Sequence, residues 1–188
     1  MSINTKELLP KKLTANHIAI MALLIAIEVV LSRFFAIPTP IVKISLNFLP
    51  IVIMAILFGP IYAGIGAAMG DFLGAMLFPV GPFFPGFTLT AFLIGVTYGF
   101  LLYKGKFEGN TGLITVFLAA FIVTVVWQLG VETLWVAIIM MGNPDSEHAS
   151  LKDAYFAWFS IRAVRTAFML PIQVILIRLL PLVTKHII

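Results

Sequence analysis

The sequence predicts an all-α membrane protein of six transmembrane helices. Of its 188 residues, 61% are hydrophobic and 11% charged, with a mean hydropathy of +1.10. An average soluble domain is roughly 45–50% apolar and about 25% charged. Length sets the second bound. At roughly 20 residues per span plus short loops, about five to seven helices fit in a single integral membrane domain over 1–188, with no room for a soluble catalytic module. The third observation is loop charge, which makes the number of spans even.

The polar, basic segment before Asn16 carries Lys6, Lys11 and Lys12 and leads to a helix start at Thr14. Span one covers about 17–32 and reads as an uncleaved first span, being longer than a signal-peptide core and ending without a small-residue cleavage pattern. On it, Ala15, Ala19, Ala22 and Ala26 share one helical face. Such a stripe lets another helix approach closely, either within the bundle or from a partner.

A proline-rich loop from Arg33 to Lys43 follows, lying over the outer edge of the bundle. Span two covers about 44–58 and turns sharply at Gly59-Pro60. Span three, about 61–77, is rich in Gly and Ala and should be a central, tightly packed helix. Span four covers about 87–103 and is followed by a polar turn with Lys104, Lys106 and Glu108. Span five covers about 113–141, long enough to tilt. A second polar loop on the outer side precedes span six, about 153–180, with Pro171 as its expected kink.

With the amino terminus inside, Lys6, Lys11, Lys12, Lys104, Lys106, Arg178 and Lys185 fall on the inner side, and Arg33, Lys43 and Lys152 on the outer. This asymmetry places both termini in the cytoplasm.

Between spans three and four the chain carries Pro79, Gly81, Pro82, Pro85 and Gly86 among Phe78, Phe83, Phe84 and Phe87. No continuous helix crosses this stretch. It is either an aromatic-lined mouth, where a cavity receives the bare backbone, or an ordinary turn with interfacial aromatics.

Glu28, Asp71, Glu132, Arg162 and Arg165 are ionisable residues within apolar spans, each costing on the order of 2–3 kcal/mol at a helix centre, so they should face the interior. Counting about 1.5 Å per residue puts Glu28 roughly 8 Å below Arg33, Asp71 roughly 10 Å below Phe78, and Glu132 and Arg162 each roughly 14 Å below their helix ends. They share the outer half of the membrane. Arg162 and Arg165 present two guanidinium forks, either to a carboxylate-bearing guest or to Glu132 and Asp71 as structural ion pairs. Trp135 and Trp158 stack on a ring or sit at the interface.

The same inventory excludes other chemistry. Zero cysteines and three scattered histidines offer no metal-ligand spacing. The net charge of +4 lies mostly in loops and at helix ends and calls for no nucleic-acid partner. Gly99, Gly105 and Lys106 miss the Walker A spacing, so ATP hydrolysis is not expected. An intramembrane enzyme using Asp71 or Glu132 lacks a second catalytic group at suitable spacing. A stand-alone secondary transporter remains open, although no inverted repeat is apparent.

The runs GDFLGAMLFPVGPFFPGFTLTAFLIGVTYG (Gly70 to Gly99) and RFFAIPTPIVKISLNFLP (Arg33 to Pro50) resemble the substrate-binding S components of energy-coupling factor (ECF) vitamin transporters, folate type. Riboflavin and other vitamin members share the fold and differ in these loops. The resemblance implies a six-helix bacterial plasma-membrane protein that is not an enzyme. It would bind folate as ligand rather than cofactor and work with a transmembrane coupling subunit and two cytoplasmic ATPases. It also implies that the alanines on span one contact the coupling subunit. The expected ligand-binding set is Arg33, Lys43, Asp71, Phe78, Pro79, Phe83, Phe84, Phe87, Thr88, Glu132, Trp135, Trp158, Arg162 and Arg165, with the loops after spans one and three as a lid.

Overall fold

The structure, a computed structural model, describes residues 14–38, 43–79, 81, 83–103, 109–142 and 150–184. Among the described residues, five helical stretches are long and apolar enough to cross a membrane, and a sixth apolar helix is shorter. Helix α1 (Ala15–Arg33) begins in a capping box, the Thr14 side chain accepting from the His17 amide while His17 Nδ1 accepts from the Thr14 amide. After α1 the chain forms a two-residue antiparallel hairpin, β1 (Ile37–Pro38) with β2 (Lys43–Ile44), pairing Ile37 with Ile44 and Pro38 with Lys43.

Helix α2 (Phe48–Phe58) starts later than the hydrophobic run suggests. Ile44 belongs to the hairpin. The Ser45 hydroxyl donates to Leu31 O at 3.0 Å and accepts from the Asn47 amide at 3.2 Å, tying this segment to the last turns of α1. At eleven residues α2 rises only about 16 Å, against roughly 30 Å of hydrocarbon. It is nonetheless the most buried helix: Val52, Met54 and Ala55 are fully enclosed.

Gly59 ends α2 and begins α3 (Pro60–Leu77) at φ +84, where a side chain would be strained. Pro60 takes the first helical position, its missing N–H costing nothing there. Helix α4 (Pro85–Leu102) packs tightly on α3. A Cβ at Gly99 would stand 2.2 Å from Pro60 Cα, so only glycine permits that approach.

The fifth crossing is α5 (Gly109–Phe121), a π-helical stretch over Ile122–Val131, and α6 (Glu132–Met141). Its widened turns are marked by the Glu132 amide bonding Trp127 O, five residues back. Two indoles pin this crossing to α4: Trp127 Nε1–H donates to Thr97 Oγ1 at 3.0 Å and Trp135 Nε1–H to Thr90 Oγ1 at 2.9 Å. Both threonines pass their own protons to carbonyls four residues back, of Leu93 and Gly86. Helix α7 (Leu151–Thr184) runs through Pro171 without a break.

The dry core lies toward the Gly59 end. Val52, Met54, Ala63, Ala67, Tyr98, Leu102, Val116, Val123, Met169 and Ile177 are essentially inaccessible and form one cluster. A buried polar bridge crosses it, Tyr98 Oη–H donating to Gln173 Oε1 at 2.8 Å, which joins α4 to α7. The opposite end of the bundle, bearing the hairpin and Phe78–Phe84, is the mouth.

Candidate ligand-binding site

A cavity of about 540 Å³ lies between the helices at the mouth end. Arg33 closes α1 and Asp71 lies six residues before the end of α3. Glu132 opens α6, and Arg165 reaches in from α7. These four side chains, together with Phe83, Phe84 and Phe87, line the hollow. Four chain-distant charges therefore meet at one cavity. The volume falls within the range of pockets for small organic ligands.

Other expected residues stand behind this lining rather than in it. Thr88 donates its hydroxyl proton to Asp71 Oδ2 at 2.7 Å and fixes that carboxylate. Arg162 Nη2 meets Glu132 Oε2 at 2.7 Å, so of the two arginines on α7 one holds an acid and the other faces the hollow. The Trp135 ring tilts against Phe84, centroids 5.5 Å apart, and Phe84 in turn meets Phe87 edge-on at 6.3 Å. Trp158 is half-buried on α7 and does not line the cavity. Phe78 and Pro79 are exposed at the rim. Phe78 meets Phe34 edge-on with centroids 4.9 Å apart, so the segments after α1 and α3 touch. The Lys43 side chain, the Lys104–Glu108 turn and the outer loop over 143–149 lie outside the described residues.

The lining also includes residues absent from the expected set: Glu28, Ser32, Ser45, Asn47 and Gln128 supply polar groups, and Phe48, Ile51, Ala91, Ile94 and Val136 apolar walls. Glu28 was legible as a buried acid, but hydropathy does not say which acid faces a hollow. Neutral Asn47 and Gln128 carry no comparable signal. Gln128 sits in the π stretch, where the wider turn alters which residues point inward. Buried Glu28 Oε2, Arg33 Nε and Arg165 Nε, all on lining residues, lack a hydrogen-bond partner among the described residues. One unmet acceptor and two unmet donors thus lie within the wall of the hollow, with almost no surface open to it.

The α1 alanines have a different environment. Leu24, Ile25, Glu28 and Val29 form the buried face of that helix, whereas Ala15, Ala19, Ala22 and Ala26 are all exposed. Their stripe is not used for packing inside the bundle.

A helical membrane bundle with an aromatic-walled hollow carrying charges of both signs is a receptor for a small polar ligand. The chain belongs to the substrate-specific components of ECF transporters, whose family model matches residues 16–181. Folate transporter FolT of Clostridium novyi (strain NT) is 38% identical over 162 residues, covering 86% of each chain. FolT of Leuconostoc mesenteroides subsp. mesenteroides is 28% identical, covering 93% of this chain and 89% of its own. The crystal structure of FolT bound with folic acid superposes with a TM-score of 0.75 at 40% identity, over 89% of this chain and 93% of that one.

Proposed function

We propose that this chain is the folate-binding subunit of an ECF importer, a multi-pass protein of a bacterial plasma membrane with both termini in the cytoplasm. The observation that carries the reading is the cavity itself, whose aromatic side and mixed charges match a molecule with a flat heterocycle at one end and carboxylates at the other. Phe83, Phe84 and Phe87 supply ring surface. Arg33 and Arg165 supply donors for the carboxylates, with Lys43 joining from the hairpin, while Asp71 and Glu132 supply acceptors. Arg162, Thr88 and Trp135 hold those groups in place, and Phe78 and Pro79 belong to the lid.

Energy comes from elsewhere. The chain has no Walker A loop, so a transmembrane coupling subunit and two ATPases would drive uptake, the coupling subunit resting on the exposed alanines of α1. The chain catalyses nothing itself, and folate is its cargo rather than a cofactor. Isothermal titration of the detergent-purified chain with folic acid tests this, alongside mass spectrometry of co-purifying ligand. Tight 1:1 binding without ATPase activity is expected. Absence of binding at micromolar concentrations, or preferential binding of riboflavin, overturns it.

A further inference from the structure

The three acids of the cavity differ in what they have left to offer. Asp71 spends Oδ2 on the Thr88 hydroxyl, and Glu132 spends Oε2 on Arg162. Glu28 lines the same cavity at 3% exposure, and its Oε2 is buried with no donor among the described residues. Inside a membrane an unmet carboxylate oxygen is expensive; this one has almost no surface open to the hollow, so a donor on the ligand meets it when the carboxylate turns toward the cavity.

How Glu28 is held is equally specific. A Cβ at Gly70 of α3 would lie 2.5 Å from Glu28 Cδ and Oε2 and 2.8 Å from Oε1, so the carboxylate occupies the space that a side chain at 70 would fill. One turn further along α3 the pattern repeats: a Cβ at Gly74 would lie 2.9 Å from Arg33 Nε. Two notches on one helix thus seat two charged residues of its neighbour, both lining the cavity and each with a buried atom unpaired. Arg33, on the mouth side of Glu28, carries only donors and does not compete for the same part of a ligand.

Resting on the folate reading, we infer that Glu28 is the acceptor that reads the donor-bearing edge of the folate ring, and that Gly70 is a positioning residue for it. The 2-amino-4-oxopyrimidine edge presents a ring N–H and an exocyclic NH₂ side by side. A carboxylate accepts such a pair in the bidentate manner in which it accepts a guanidinium. Glu28 therefore selects against rings lacking the 2-amino group.

The test is a cycle of protein and ligand changes on the full chain in detergent, using folic acid and its 2-desamino analogue. In Glu28→Gln, which keeps the shape and replaces one oxygen by a donor, folic acid should bind about 30-fold more weakly or worse, because a site built to accept a hydrogen bond rejects its mismatch strongly. The 2-desamino analogue should lose distinctly less on the same substitution, because only its ring N–H still meets residue 28. A purely structural role for Glu28 would weaken both ligands alike, and that result overturns the inference, as does unchanged folic acid binding by Glu28→Gln. Failure of wild type to bind either ligand instead defeats the folate reading. For Gly70, Gly70→Ala should weaken folic acid binding, and adding Glu28→Asp, one methylene shorter, should recover part of it. No recovery reduces Gly70 to a helix-packing residue, and a Gly70→Ala chain that fails to fold leaves the Glu28→Gln arm decisive.

Discussion

Arg162 on α7 and Glu132 at the start of α6 meet at 2.7 Å, with side-chain exposures of 15% and 21%. Removing one member of a largely enclosed pair leaves the other charge without compensation, on the order of 3 kcal/mol. Arg162→Met should therefore lower the melting temperature of the purified chain by roughly 5–10 °C. The double variant Arg162→Met/Glu132→Gln should regain most of that loss, because no lone carboxylate is left behind. Melting curves of the two variants check this.

The Tyr98–Gln173 bridge is sealed in the apolar core, and Gln173 Nε2 already lacks a partner among the described residues. Tyr98→Phe would deprive Oε1 of its donor as well, at about 1–3 kcal/mol. Tyr98→Phe/Gln173→Leu removes both polar ends and should be more stable than Tyr98→Phe alone. A double-mutant cycle of thermal stability reads the difference.

Gly99 admits Pro60 to within a distance that no other residue allows. The obstacle to a Cβ is backbone rather than a flexible side chain, so α3 and α4 must separate. Gly99→Ala should cost about 1–3 kcal/mol or more, seen as a lower melting temperature and reduced yield of monodisperse protein. Gly81, with nothing within 4 Å of its virtual Cβ, is the control: Gly81→Ala should melt as wild type does.

Ala22 is exposed on α1. If the alanine face receives the coupling subunit, Ala22→Phe leaves folic acid binding and melting temperature unchanged while abolishing uptake in vesicles that contain the coupling and ATPase subunits. Loss of binding by this variant would place Ala22 within the bundle's own packing instead.

Much of this arrangement was legible in the residues. The Gly59-Pro60 turn follows from the freest backbone adjoining the most restricted one, and Gly59 takes φ +84. Glu28, Asp71, Glu132 and Arg165 line one cavity because intramembrane charge has only the interior to face. What spacing could not rank was the layer each residue occupies. Thr88, Trp135 and Arg162 stand behind the lining, hydrogen-bonded to Asp71, Thr90 and Glu132. The late start of α2 escaped notice because Ile44 is as apolar as a helical residue, and a Ser45 hydrogen bond to another helix has no sequence signature. The π stretch differs from an α-helix by its hydrogen-bond register, to which hydropathy is blind. The exposed alanines of α1 were equally compatible with internal packing until the opposite face proved to hold Leu24, Ile25, Glu28 and Val29.

The half-length helix α2 ends in a plug of Val52, Met54, Ala55 and Phe58, closed over by Tyr98, Leu102 and Met169. Among the described residues, the floor beneath the hollow is accordingly packed apolar side chain, broken by the paired Tyr98 and Gln173. A molecule captured at the mouth therefore meets a closed apolar floor rather than a passage.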